Sequence, residues 1–278
     1  MLTPSNELVT MMDAARAAGA GLMRHFRSRE ELKVQVKGPA DFASAADLQS
    51  EETLRSMLLG AYPAFGMLTE ESAPTVAVDA GRARFVVDPL DGTTNFLHGI
   101  PHFAVAIALE REGQVVAGVV FDPPKDELFV AERGRGAWLV AASTAHDGAE
   151  RLAVSKDADF SRALIATGIP HANSVHRHGA YLTMLAASMR EAAGIRRLAA
   201  AALDLAYVAS GRFGVFFEFG LAPWDLAAGG LLVVEAGGRV SEPSGGPAYL
   251  DSGNVLATNG LLHQPMLALL RGEPFRRA

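Results

Sequence analysis

Leu8, Met11, Ala15, Ala18, Leu22 and Phe26 recur at helical spacing behind Ser5, which predicts an N-terminal helix over residues 5–27. The segment Lys37-Gly38-Pro39-Ala40-Asp41 reads as a loop. A second helix is predicted over residues 47–59, stopped by Gly60 and Pro63, with Glu51 and Glu52 as a solvated face. Strand-like segments follow at 84–88, 104–111, 115–121 and 127–132, and Glu112-Gly113 reads as the hairpin turn between the second and third.

After a small, polar stretch at 141–149, a candidate boundary or surface loop, strands and helices alternate. Strands are predicted at 164–167, 215–219, 239–241 and 255–258. Helices are predicted at 181–190, 199–210 (ended by Gly211), 224–236 and 261–270. There is no internal repeat and no low-complexity tract. The pattern predicts an α/β chain of layered sheets and helices, with an N-terminal half over 1–145 and a C-terminal half over 146–278.

At 278 residues the chain can bury a large core in one domain or two. Its apolar runs are broken well before membrane-spanning length, so no transmembrane helix is expected. Glu7 and Asp13 in the N-terminal amphipathic pattern argue against a secretory signal. With no cysteine, disulfides, thiolate metal sites and a cysteine-phosphatase mechanism are excluded, and a cytoplasmic location is expected. A net charge of −6 without a basic run argues against broad nucleic-acid binding.

The richest chemistry lies in Asp88-Pro89-Leu90-Asp91-Gly92-Thr93-Thr94-Asn95-Phe96. Two carboxylates close an apolar strand, Pro89 and Gly92 break it, and small hydroxyl residues follow. Unpaired backbone amides beyond such a break can seat a phosphate. Carboxylates beside that seat repel the anion unless a hard divalent cation lies between them. An ordinary turn with capping Asp and Thr fits the segment equally well. Asp225 beside Trp224 is open in the same way, since it can simply cap the helix that it begins. His171, His176 and His178 lack a zinc-site pattern and read as surface residues, as does the pair Arg196-Arg197. His98 and His102 flank the loop after Phe96 and are given no catalytic role.

Asp88–Phe96 occurs in order with Asp41-Phe42-Ala43-Ser44-Ala45-Ala46-Asp47, Thr69-Glu70-Glu71-Ser72, Trp224-Asp225-Leu226-Ala227-Ala228-Gly229-Gly230 and Glu235-Ala236-Gly237-Gly238. Together these segments resemble the inositol monophosphatase family of Mg²⁺-dependent, lithium-sensitive phosphomonoesterases. The resemblance implies a layered αβαβα sandwich of the inositol monophosphatase and fructose-1,6-bisphosphatase type, with the active site where the halves meet. It implies two to three Mg²⁺ ions held by Glu70, Asp88, the Leu90 carbonyl, Asp91 and Asp225. Thr93 paired with Asp47, together with Glu70, would activate the attacking water for direct in-line displacement. Asp91, Gly92, Thr93, Thr94, Ala201 and Glu218 would contact the substrate, and a homodimer is expected.

Myo-inositol 1-phosphate is the leading substrate on this resemblance, with histidinol phosphate or a sugar bisphosphate as alternatives. A transcription- or RNA-associated accessory role is a reading of another class. Ala199-Ala200-Ala201-Ala202 stands where many inositol phosphatases carry Gly followed by Ser or Thr, which removes a hydroxyl contact. Thr69 replaces a common Gly and Ser44 a common Thr, neither of them a metal ligand. Thr93-Thr94 is closer to the inositol phosphatases than to the nucleotide-directed branch, where the second position is usually Lys.

Overall fold

Alternation along the strands sends side chains into separate cores on the two faces of a sheet. The computed structural model describes residues 2–28, 34–38, 41–72, 83–141, 148–170 and 175–272. Its first elements are α1 (Asn6–Arg27), β1 (Val34–Gly38), β2 (Asp41–Ser44), α2 (Ala45–Ala61), β3 (Gly66–Thr69), β4 (Arg84–Asp91) and α3 (Thr93–Leu97). Strands β5 (Ala104–Arg111), β6 (Gln114–Asp122), β7 (Glu127–Glu132), β8 (Gly136–Ala141), β9 (Glu150–Arg151) and β10 (Leu164–Thr167) follow. The chain continues with α4 (Val175–Glu191), β11 (Gly194–Arg196), α5 (Ala201–Ala209), β12 (Val215–Glu218) and α6 (Pro223–Glu235). It closes with β13 (Arg239–Ser241), α7 (Tyr249–Ser252), β14 (Val255–Thr258) and α8 (His263–Leu270).

A seven-stranded sheet runs in the order β3-β4-β5-β6-β7-β8-β9, and a five-stranded sheet runs β11-β10-β12-β14-β13. Ala104, Ala106 and Ala108 of β5 face the core shared with α5 and α6, whereas Val105, Ile107 and Leu109 face the core shared with α1 and α2. The other side of the α5–α6 layer meets the five-stranded sheet through Phe216, Val255 and Ala257. Beyond that sheet, Val215, Phe217 and Leu256 join Met266 and Leu267 of α8. The layers are therefore α1/α2, sheet, α5/α6, sheet, α4/α8: an αβαβα sandwich.

Small residues bring the central helices close to the sheets. A Cβ on Gly118 of β6 would lie 2.9 Å from the Ala228 carbonyl of α6, and one on Gly229 would lie 2.5 Å from Leu205 Cβ of α5. The outer helix α1 is anchored by larger groups: Leu8, Met11, Met12 and Leu22 are essentially fully buried. Each contributes about 1.5–3 kcal/mol of transfer free energy. Ser5 caps α1 by accepting the Leu8 N–H at 3.2 Å.

Several boundaries depart from the sequence expectation. Lys37, Gly38 and Asp41, expected in a loop, belong to an antiparallel ribbon that pairs residues 34–38 with 41–44, while Pro39 and Ala40 lie outside the described residues. Strand β4 does not end at Asp88: it continues to Asp91 with a register shift between the two acids, so Pro89 and Leu90 occupy a bulge. The 199–210 helix starts at Ala201, because Ala199 has a φ of 62°, outside the helical region. Strands β3, β8, β9 and β11 were not anticipated. The Glu112-Gly113 turn is present, with φ of 51° and 74°, as a tight antiparallel hairpin requires. Most of the 141–149 stretch, together with His171 and the side chain of His176, lies outside the described residues.

Candidate active site

Asp47 stands in the first turn of α2 and closes a capping box. Its Oδ2 accepts the Ser44 N–H at 2.9 Å and the Ser44 hydroxyl at 2.5 Å, while Ser44 Oγ accepts the Ala46 N–H at 3.1 Å. Its Oδ1 lies 3.1 Å from Thr93 Oγ1, which is also 3.0 Å from the Leu90 carbonyl. The single hydroxyl proton of Thr93 is shared between those acceptors. Burial raises the pKa of Asp47, against the lowering effect of its Ser44 and Thr93 hydrogen bonds.

The bulge in β4 displays Asp88, Leu90 and Asp91 at the edge of the α5–α6 layer. Asp88 Oδ1 accepts the Leu90 N–H at 2.9 Å. Asp91 accepts the Ala201 and Ala202 N–H groups at 3.2 and 2.8 Å, so the start of α5 is aimed at its carboxylate. Asp225 enters from the first turn of α6 and accepts the Ala222 N–H at 2.7 Å. Asp225 thus does cap its helix, and the acidic neighbours add to that role.

Those neighbours are legible in the electrostatics. Asp88 is held well above the ordinary carboxylate range by burial and by repulsion from Glu70, Asp91 and Asp225. Asp225 is raised well above it by burial, Asp91, Glu70 and Glu218. Burial pushes Asp91 up to about 6 against the pull of its amide donors. Four carboxylates from three segments therefore share one field. Among the described residues they are not drawn into a closed cage of three or more ligands. Asp88, Asp91 and Asp225 instead rest on backbone amides.

The donor set suits a hard divalent cation. It offers carboxylate oxygens with a backbone carbonyl at Leu90, and the mutual repulsion that raises Asp88 and Asp225 is what a bound cation relieves. Gly92, at φ 92°, turns the chain from β4 into α3; a Cβ there would meet the His102 and Ala199 carbonyls at 3.1 and 3.2 Å. Thr93 is half-buried and Thr94 exposed at the same turn.

Glu218 ends β12 with its pKa pushed up to about 7 by burial, despite the opposing charge of Arg197. Its carboxylate fills the space beside Gly168: a Cβ on that glycine would lie 1.7 Å from Glu218 Oε1. Arg197 is exposed, as expected for a solvated pair, yet its charge reaches Glu218 and Asp204. His98 is exposed at the end of α3. His102 is half-buried edge-on to Tyr207, and burial lowers its pKa to about 4.

Three participants escaped the sequence reading. Glu51 is not part of a solvated face: it is 3 % exposed and organises the Glu70 loop. It accepts the Thr69 hydroxyl at 2.8 Å, the Glu71 N–H at 3.2 Å, the Ser72 hydroxyl, and Arg55 at 2.9 Å. Its helical spacing with Asp47, Leu54 and Leu58 placed it on the buried stripe. Ser50, one residue earlier, donates to the Pro89 carbonyl at 2.7 Å. Asp204 in α5 is 1 % exposed, and its Oδ1 has no hydrogen-bond partner among the described residues.

An αβαβα frame on which four carboxylates share one field places the chain in the layered-sandwich class. The sequence model of the inositol monophosphatase family matches residues 4–273. An inositol-1-monophosphatase of Mesorhizobium japonicum is 46 % identical over 264 residues, covering 95 % of this chain and 96 % of that protein. The Nus factor SuhB of Pseudomonas aeruginosa is 41 % identical over 260 residues, covering 93 % of each. The crystal structure of the extragenic suppressor protein suhB from Bartonella henselae superposes with a TM-score of 0.89 at 46 % identity, covering 96 % of this chain and 99 % of that one. The chain belongs to the inositol monophosphatase family and is a phosphoric monoester hydrolase.

Proposed function

We propose that the protein hydrolyses a small polyol phosphate monoester, with myo-inositol 1-phosphate as the leading substrate, and that it requires Mg²⁺. The observation that carries this reading is the shared field of Glu70, Asp88, Asp91 and Asp225, four acids whose mutual repulsion raises Asp88 and Asp225. These four residues and the Leu90 carbonyl would hold two to three Mg²⁺ ions. Bound there, Mg²⁺ would neutralise the phosphate, lower the pKa of the attacking water and stabilise the leaving oxygen.

The chain's own groups do the rest. The Gly92 and Thr93 N–H groups, with the Thr94 hydroxyl, seat the phosphate oxygens. Thr93 Oγ1 accepts a proton from the water as its own hydroxyl proton passes to Asp47 Oδ1, 3.1 Å away, while the water attacks in line, and Glu70 orients that water. Glu218 and the backbone at Ala201 face the polyol. A carboxylate at position 218 accepts bonds from vicinal hydroxyls, which favours a polyol over a bisphosphate whose second anion it would repel.

The deciding experiment measures phosphate release from myo-inositol 1-phosphate, histidinol phosphate and fructose 1,6-bisphosphate, each with and without Mg²⁺. Fastest turnover of the inositol ester, abolished by chelation, is expected. Brisk metal-independent hydrolysis, or preference for either other ester, overturns the assignment. The reading includes lithium inhibition and a cytoplasmic homodimer; light scattering that gives a monomer at micromolar concentration removes the latter.

The 41 % identity to a Nus factor SuhB supports a second reading, a transcription-complex role carried by the surface. Asp91→Asn should abolish hydrolysis and leave any such association intact. Loss of both together counts against separable roles.

A further inference from the structure

Asn95, in the middle of α3, is 7 % exposed and sends its amide to the turn before α5. Its Nδ2 donates to the Leu198 carbonyl at 2.7 Å, 103 residues away, and to the His102 carbonyl at 2.9 Å, with the Ala199 carbonyl at 3.4 Å. A carboxamide nitrogen carries two hydrogens, so the two short bonds use both. Leu198 and Ala199 form the turn that leads into α5. Ala199 holds a φ of 62° there, a region that a residue with a Cβ disfavours. Two and three residues later, the Ala201 and Ala202 N–H groups reach the Asp91 carboxylate.

We propose that Asn95 is a positioning residue: its amide clasps the Leu198–Ala199 turn in its left-handed form, and that turn delivers two N–H donors to Asp91. The link runs from one side chain, through a backbone turn about a hundred residues away, back to a carboxylate four residues before Asn95. Without the amide, buried carbonyls at 102 and 198 lose their donor and Ala199 is released to relax towards negative φ. The Ala201 and Ala202 amides then leave Asp91, whose carboxylate loses both orientation and its hydrogen bonds. The consequence for cation binding rests on the reading of Asp91 as a Mg²⁺ ligand; the clasp itself does not.

The test uses the full chain. Asn95→Asp preserves shape but replaces the donor by an acceptor, and Asn95→Ala removes the group. In both, hydrogen exchange at the Ala201 and Ala202 amides should accelerate at least about tenfold while amides of α1 are unchanged. Mg²⁺ affinity measured by titration calorimetry should weaken about tenfold or more. Adding Ala199→Gly to Asn95→Ala should recover part of both losses, because glycine holds positive φ without the clasp. A residue that merely stabilised α3 would show no such rescue.

Wild-type exchange at Ala201 and Ala202 in a folded Asn95 variant overturns the clasp. Faster exchange with unchanged Mg²⁺ affinity overturns its coupling to Asp91. If the unaltered protein binds no Mg²⁺, the metal reading of Asp91 fails, while the exchange data still decide the clasp. Should neither Asn95 variant fold, Ala199→Val with Asn95 intact presses the same turn out of its left-handed form. It must then reproduce the faster exchange, and normal exchange overturns the proposal.

Discussion

Thr93 Oγ1 and Asp47 Oδ1 lie 3.1 Å apart, joining two motifs separated by 46 residues of sequence. The other oxygen of Asp47 is occupied by Ser44, so the carboxylate cannot turn away from Thr93 without breaking the cap of α2. Asp47→Asn keeps an acceptor for Ser44 and removes the negative charge facing Thr93. It should lower kcat by about 10²–10³ with KM nearly unchanged. Steady-state kinetics on the preferred ester checks this; a loss confined to KM would remove Asp47 from the proton-transfer role.

Gly168 and Glu218 give a specificity test. No side chain fits at 168 while Glu218 stays in place, since the Cβ would lie 1.7 Å from its carboxylate oxygen. Gly168→Ala should raise KM for the polyol ester about tenfold or more, the equivalent of one charged hydrogen bond. Hydrolysis of p-nitrophenyl phosphate, which has no hydroxyl for Glu218, should be little affected. Equal losses on both substrates would show that Glu218 does not read the polyol.

Asp204 is a buried acid with an unsatisfied oxygen, raised well above the ordinary range by burial, Glu218 and Asp91. A carboxyl whose folded pKa exceeds its unfolded value holds its proton longer in the native state. Its presence therefore costs stability as pH rises from about 4 towards the folded pKa. Asp204→Asn, neutral throughout, should gain on the order of 1 kcal/mol at pH 8, a Tm increase of about 2–4 °C, with a smaller difference at pH 5. Thermal unfolding at the two pH values measures it. A lower Tm for the variant at pH 8 would mean that the charge is compensated.

The same sign governs the acids at and beside the proposed Mg²⁺ site. Asp91 at about 6 and Glu218 at about 7, with Asp88 and Asp225 well above the usual range, all bind protons more tightly in the native state. Chelated protein should lose stability between about pH 4 and 7 as these groups ionise. Mg²⁺ competes with those protons, so the Tm increase on adding it should be larger at pH 7.5 than at pH 5. An increase independent of pH would show that the cation binds elsewhere.

What the sequence disclosed follows the range of the interactions. Asp88 and Asp225 stand in short motifs at a predicted strand end and a predicted helix start, Glu70 in a motif read as a loop, and the alternation of β5 and the stripe of α1 are local patterns. The clasp of Asn95 was hidden because its partners lie 103 residues away, and a backbone carbonyl leaves no trace in residue type. Glu51 was misread for another reason. Charge was taken as a sign of solvent, although the position fell on the same helical stripe as Asp47, Leu54 and Leu58. The bulge in β4 was missed because Pro89 reads as a terminator, whereas the register shift lets the strand resume beyond it.

The close seat of α6 on β6, where Gly118 meets the Ala228 carbonyl, fixes how deeply the helix that carries Asp225 sinks towards the sheet whose strand β4 carries Asp88 and Asp91. Any methyl group at position 118 would act as a shim, lifting α6 away from the sheet. The spacing between Asp225 and the acids of β4 is thus set in part by a buried glycine that lies outside the carboxylate cluster.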